Sequence, residues 1–347
     1  MLFRSIDGQN ATGDAFDLVD GVTDVTITGF VIRNLGHTSF LNGTGVGVQA
    51  YVPSTSDVTV SHNRFTDVGY GLLVGNDGST ARYALGTHRY WNVSFNVFEG
   101  VYSAAIELTD TSDSTAGSNV IHLDAAGSGP MGFFSWVRID QRNLSIVGNT
   151  VDGTQGTYPA IWVKAQGSST PNLDGLVIRN NRVTADAGSG WQLTVSEVTT
   201  GTVTGVDVAD NSVGSFRNLT SSAIDLAGNW WGQSTGPAAG QTGGTVTTAP
   251  WITGYTDSGT TPGFWPTGVE LSGEPGNSAP PTISGVRRVG AALTSTDGTW
   301  TGSPVPTLSY QWQRSADGST GWSNITDATA RSEEHTAELQ SLAYLVC

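Results

Sequence analysis

A short pattern recurs through the first three-quarters of the chain: apolar, any residue, apolar, two residues of any kind, Asn, any residue, apolar. Its copies are Val58, Val60, Asn63 and Phe65; Trp91, Val93, Asn96 and Phe98; Leu144, Ile146, Asn149 and Val151; Leu176, Ile178, Asn181 and Val183; Val206, Val208, Asn211 and Val213. An opening copy at Val25, Ile27 and Ile32 carries Phe30 where the Asn belongs. An interval of about 30 residues marks a chain that stacks one supersecondary unit on the next. The longer gap from Asn96 to Asn149 predicts two windings, one of which has lost its Asn. Each copy is followed by a second alternating pair: Val46/Val48, Leu72/Val74, Ile106/Leu108, Ile161/Val163, Trp191/Leu193 and Ile224/Leu226. Alternation of β-branched and aromatic residues reads as strand, and the repeat region carries no helical period. Strands this short, parted by Gly, Asn, Asp and Ser, bury an apolar side only by stacking on their neighbours. The expected fold is an all-β solenoid.

The Asn position carries further information. Asn tolerates the left-handed backbone of a tight turn. Its amide both donates and accepts, so Asn63, Asn96, Asn149, Asn181 and Asn211 are expected to bond into a ladder at the strand spacing of about 4.8 Å. Taken together, these features resemble the right-handed parallel β-helix repeat family, of the secreted bacterial type with a pectate-lyase-like superfold. Asn229-Trp230-Trp231-Gly232, Gly236-Pro237 and Ala249-Pro250-Trp251-Ile252 resemble the closing coil of such proteins, with the paired tryptophans covering the open end of the core. The resemblance implies a β-helix over residues 1–268.

Beyond it, residues 269–280 are rich in Gly, Ser, Pro and Glu and read as a linker. Residues 281–330 read as short strands around Thr282-Ile283, Arg288-Val289-Gly290, Leu293, residues 310–314 and Trp322. Through Gly298-Thr299-Trp300 and Tyr310-Gln311-Trp312 they resemble part of a bacterial immunoglobulin-like β-sandwich, which implies a spacer or adhesive link. Residues 331–347 switch to RSEEHTAELQSLAYLVC, a helix-favouring run that resembles a translated sequencing adapter and is expected to be a non-native tail.

Charge and cysteine content narrow the function. The formal net charge is −15 and Lys164 is the sole lysine, which argues against nucleic acid as a partner. No apolar stretch approaches the roughly 20 residues that span a bilayer. Cys347 is the single cysteine, so no intrachain disulfide forms. The first residues show no signal-peptide pattern, and the natural N-terminus is expected to be missing. An extracellular or cell-surface monomer is the expectation.

Alternation along a strand sends every second side chain outward. With Ile106/Leu108, Ile161/Val163 and Ile224/Leu226 inside, the outward residues are Glu107, Trp162 and Asp225, and Gly47, Leu73 and Gln192 are expected in the same row. Lys164 follows on the same face. Glu107, Trp162, Lys164 and Gln192 are therefore the candidate carbohydrate-binding residues, since aromatic faces stack on sugar rings and carboxylates accept from hydroxyls. Asp225 also fits the strand before Asn229, which would place it on another face.

For an enzyme of polysaccharides, the catalytic candidates are Glu107, Asp110, Arg138 and Asp225, because glycosidase chemistry needs two positioned carboxylates. The polygalacturonase-like pattern is absent, with Arg138-Ile139-Asp140 only half an echo of it. Asp110, Asp113 and Arg138 have the residue types of a pectate-lyase-like calcium site without its spacing, so no cofactor is expected and calcium stays open. No Walker loop, dinucleotide fingerprint or His-Glu-x-x-His occurs. His37, His62, His88, His122 and His335 are scattered, and no metal site is expected. The expected function is an elongated face that binds carbohydrate or another surface polymer; the alternatives are a polysaccharide lyase or glycoside hydrolase, and a structural spacer or adhesin stalk.

Overall fold

A computed structural model of the chain describes residues 4–36, 44–75, 88–124, 130–154, 156–166, 171–185, 191–197, 201–273, 276–286, 288, 290–301, 308–315 and 320–334. The chain divides into two units, Met1–Leu271 and Ser272–Cys347.

In the first unit, parallel strands stack in register to make a β-solenoid of about seven turns, without helix among the described residues. Three columns of inward side chains form its core. One runs Ile27, Val60, Val93, Ala116, Ile146, Ile178 and Val208, each paired with the next. The second runs Ile32, Phe65, Phe98, Ile121, Val151 and Val183. The third runs Val48, Leu72, Ile106, Phe133, Ile161, Leu193 and Phe216. Phe65 and Phe98 stack with centroids 4.8 Å apart, the strand spacing itself. These residues are almost wholly buried, and apolar burial is the main force holding the coils together.

Between the first and second columns lies a file of asparagines. Asn63 donates from Nδ2 to Asn96 Oδ1 at 3.1 Å, and the same bond links Asn96 to Asn119, Asn119 to Asn149, Asn149 to Asn181, Asn181 to Asn211 and Asn211 to Asn229. Each Nδ2 also donates back to a carbonyl of the first column, from Ile27 O for Asn63 to Val208 O for Asn229. Two expectations are corrected. The long gap hides no lost Asn: Asn119 occupies the place. It escapes the pattern because Ser114 and Ala116 stand where large apolar residues are usual. Ser114 is tolerated inside because its hydroxyl donates to Ser112 O and accepts from Trp91 N–H. The left-handed backbone, in turn, belongs to the residue before each Asn: His62, Phe95, Ser118, Gly148, Asn180, Asp210 and Gly228, with φ from 54° to 73°. That leaves the ladder amides free to point inward.

The closing segment begins at Asn229, the last of the file. Trp231 is buried in the core, and Trp251 packs against it. Trp230 meets Tyr255 edge-on, and Tyr255 meets the buried Phe264. Ile252–Thr256 pairs antiparallel with Thr267–Leu271, so Val269 and Leu271, expected in a linker, lie in a strand instead. Main-chain bonding is indifferent to the polar composition that suggested a linker. Arg182 is ion-paired with the buried Asp257, and Gly263 N–H donates to Thr150 Oγ1, which ties this segment along the side of the coils.

Among its described residues the second unit has three small antiparallel sheets: Ile283–Gly285, Ala292–Ser295 and Ser332–Glu334; Gly276–Ala279 with Thr299–Thr301; and Gln313–Arg314 with Ser323–Asn324. Leu293, Trp312 and Ala328 form its core, and Trp312 Nε1–H donates to Ala330 O. Gly276–Ala279, also expected in the linker, is one of these strands. So is Ser332–Glu334, the start of the expected non-native tail; residues 335–347, with His335 and Cys347, lie outside the described residues, as does His37.

Candidate functional site

On the third face, the outward row that contains Glu107 reads Leu73, Glu107, Phe134, Trp162, Thr194 and Arg217, one residue per coil. Two positions further along, Trp136, Lys164 and Ser196 make a second row. Leu73 and Phe134 pack with Val46, Tyr70, Ala104 and Met131 in an apolar cluster separate from the main core, edged by half-buried Tyr51, Trp136, Tyr158 and Trp162.

The indoles are held by their polar ends. Trp162 Nε1–H donates to Ser196 Oγ at 3.0 Å, and Trp136 Nε1–H donates to Gln166 O at 2.7 Å. Tyr158 stacks on Trp162 with centroids 5.7 Å apart and planes 18° from parallel, and Phe134 lies 5.4 Å from the same indole. Two cations lean on this aromatic surface. Arg138 Cζ is 3.6 Å from the centre of Trp136, and Lys164 Nζ is 5.0 Å from both Trp136 and Trp162. Such contacts stabilise by about 0.5–2 kcal/mol each. Partial burial, with the Arg138 charge, moves the Lys164 ammonium below its ordinary pKa.

Two carboxyls complete the face. Trp136 N–H donates to Thr109 Oγ1, and Thr109 Oγ1–H donates to Glu107 Oε1 at 3.2 Å, a short relay across two coils. Glu107 is only 8% exposed, and burial pushes its carboxyl up to about 7 against the opposing pull of Thr109 and Arg138. Asp110, 2% exposed, accepts at Oδ1 from Arg138 N–H and Ile139 N–H; burial still pushes it up to about 6. Its positive φ and its two backbone acceptor bonds show that Asp110 also shapes the corner between coils.

A family model described as a right handed beta helix region matches residues 51–230. The chain belongs to the right-handed β-helix family. A search of the curated proteins gave no match to it, and a search of the solved structures gave none either. Right-handedness thus comes with the family, while the face just described is a property of this β-helix's own side chains.

Within the β-helix, Glu107, Asp110, Arg138, Trp162 and Lys164 come together. Glu107 and Trp162 stand two coils apart with Phe134 between them. Gln192 does not join them. Its amide donates to Ala185 O and accepts from Gly214 N–H, so it pins a turn, and Thr194 takes the place in the row. Gly47 is displaced as well: Gln49 is the residue in register with Leu73. Asp225 lies on a different sheet, paired through Ile224–Asp225 with Val246–Thr247, and accepts from Thr247 Oγ1 and Ala227 N–H. Asp113 accepts from Asn143 Nδ2 away from Glu107's row. Among the described residues no three His, Cys, Asp or Glu side chains converge as metal ligands.

Phe134, Trp136, Thr194 and Ser196 are the members that sequence reasoning missed. The alternation Phe133, Ser135 and Val137 inward against Phe134 and Trp136 outward is present in the text, but two adjacent phenylalanines hide which of them faces the core.

Proposed function

We propose that this β-helix binds carbohydrate along the Trp136/Trp162 face, as an extracellular or cell-surface protein. The observation that carries the reading is the pair of half-buried indoles, oriented by hydrogen bonds at Nε1 and flanked by Lys164 and Arg138. A fixed aromatic surface offers a sugar ring its apolar side at little entropic cost, while neighbouring charges take up its polar groups. A plain spacer has no use for such a surface. The second unit, as an immunoglobulin-like module, would then act as a link between this face and its surroundings.

The test is affinity electrophoresis against a panel of neutral and acidic polysaccharides. Wild-type protein is expected to be retarded by at least one polymer, and Trp162→Ala to weaken that binding about tenfold or more, near 1.4 kcal/mol. Trp162→Phe, which keeps a ring, should lose less. Retardation equal in all three proteins would remove the indole from the account.

A second reading is favoured by Glu107. A carboxyl poised near neutrality beside an arginine has the character of a general acid or base, which makes a polysaccharide lyase or glycoside hydrolase the alternative. Under that reading Glu107→Gln still binds polymer but releases no new chain ends.

A further inference from the structure

Strain and exposure coincide at Tyr90 and Phe95. Both ends of the strands that carry the Val60 column turn through left-handed φ, where glycine or a short polar side chain sits most easily. Neighbouring coils follow this rule, with Ser118 and Gly148 at one corner and Asp57 and Asp113 at the other. Strand His88–Ser94 does not: Tyr90 stands near its start at φ 56° and Phe95 just past its end at φ 55°. The two residues are 50% and 53% exposed, so the core does not explain them, and His62 stacks on Phe95 with centroids 5.1 Å apart. Strain held at an exposed position points to use. Between these corners the outward face is flat. From Thr26 and Thr28 to Ser145 and Val147, across about five coils, its two rows carry no charge. Arg179 and Asp207 enter the rows immediately beyond.

We propose that this face joins two copies of the chain in a homodimer, about a two-fold axis that passes midway between Tyr90 and Phe95; the proposal goes beyond the carbohydrate reading and does not depend on it. An axis normal to the face at that point exchanges the two corners. Phe95 of each copy then lies over Tyr90 of the other, the reciprocal contact that a two-fold interface requires. The overlap reaches two coils to either side, from strand Val22–Thr28 to strand Leu144–Val147, which is the uncharged stretch; Arg179 and Asp207 fall outside it. Copies of net charge −15 repel, and they meet with least repulsion where neither is charged. The corners match as well. The axis sets His62 against Asp113 of the other copy and Ser118 against Asp57, so no carboxylate there faces a carboxylate. Coils about 4.8 Å apart and strands of about seven residues at about 3.3 Å give a patch of roughly 550 Å² per copy in projection. Side-chain relief and the exposed rings bring the pair to about 1,200 Å², the lower end for specific interfaces, so the dimer is reversible. Aromatic anchors at the centre of such a patch carry most of its binding energy. A glycan or a peptide has no use for two rings placed reciprocally about one point.

The experiment is analytical ultracentrifugation of the full chain from about 1 to about 200 μM, with wild type, Phe95→Asn and Ser94→Arg compared. Reductant is present throughout, so that Cys347 forms no cross-link. Wild type is expected to rise with concentration from 36.1 kDa toward twice that mass. Phe95→Asn should raise the dimer Kd about tenfold or more. Its melting temperature, read where both proteins are monomeric, should equal or exceed that of wild type, because Asn suits a left-handed φ. Ser94→Arg should stay monomeric with an unchanged circular dichroism spectrum; Arg179 shows that this row accepts arginine. A wild type that is monomeric at the highest concentration overturns the proposal, as does a Phe95→Asn that dimerises like wild type. A Phe95→Asn that melts below wild type also overturns it, since the ring would then support the fold. Association past the dimer would show that the contact is not two-fold. If wild type stays monomeric and Phe95→Asn weakens its retardation by a polysaccharide, the ring serves a glycan and the dimer falls.

Discussion

Asn149→Ala is expected to lower the stability of the solenoid by about 3–5 kcal/mol, the largest effect of any single substitution considered. The Asn149 side chain makes four hydrogen bonds: Nδ2 donates to Ala116 O at 2.9 Å and to Asn181 Oδ1 at 3.0 Å, and Oδ1 accepts from Asn119 N–H at 3.0 Å and Asn119 Nδ2 at 2.9 Å. All of these groups are buried in the stack, out of reach of water. Alanine removes the partner and leaves the others, and a buried polar group without a partner costs about 1–3 kcal/mol. Neighbouring asparagines share part of the loss by shifting, which keeps the sum below four full penalties. In a unit of this size the change corresponds to a melting temperature lower by ~10 °C. The exposed Asn92, on the outer side of strand His88–Ser94, is the control; Asn92→Ala should change stability by less than about 0.5 kcal/mol. Asn63, whose Oδ1 accepts, among the described residues, only from Phe30 N–H, stands at the end of the file and should cost less than Asn149. Equal, small effects at Asn149 and Asn92 in urea unfolding would show that the file is not what pins the corner.

Glu107→Gln should act in the opposite direction, and only at higher pH. The Glu107 carboxyl has an ordinary pKa of 4.5 and is pushed up to about 7 in the fold. The folded state therefore holds a proton that the unfolded chain has released, over the window from 4.5 to about 7. Its stabilising contribution is fully present below pH 4.5 and is lost as the pH rises through 7. Above pH 8 the cost of keeping a buried carboxylate approaches roughly 3 kcal/mol. Glutamine keeps the shape and still accepts from Thr109, but carries no charge. Wild type and variant should unfold alike near pH 4.5, and the variant should be the more stable by about 2–3 kcal/mol at pH 8.5. Asp110 titrates in both proteins and cancels in the comparison. Parallel stability–pH curves would place the Glu107 carboxyl in contact with water.

How much of this was legible in the text of the chain depended on which side of a strand a residue occupies. Inward positions are constrained by the columns they join, so the apolar pairs and most of the asparagines announced the solenoid. Asn119 did not, because Ser114 and Ala116 fill their column places with small side chains whose needs are met by backbone groups. Outward positions answer to no column. Their register depends on where each strand begins, and that is set by turns such as the one Gln192 fastens to Ala185 and Gly214. A strand starting two residues later puts Thr194, not Gln192, beside Trp162. Glu107, Trp162 and Lys164 were found because they alternate with unmistakable core residues. Phe134 and Trp136 were not, since an aromatic residue is as much at home inside the prism as on its rim. Asp225 follows Ile224 on a strand before an Asn, and that position belongs to a different side of the coil.

The account turns on a sugar chain lying against the Trp162 indole. A crystal structure of the protein with a bound oligosaccharide of the polymer that retards it tests this most directly. The predicted result is a pyranose ring parallel to the Trp162 indole at about 4 Å, with neighbouring polar groups reaching Lys164 and Arg138. An oligosaccharide seated instead on the opposite sheet, over strands such as Val22–Thr28 and Thr55–Ser61, would contradict it.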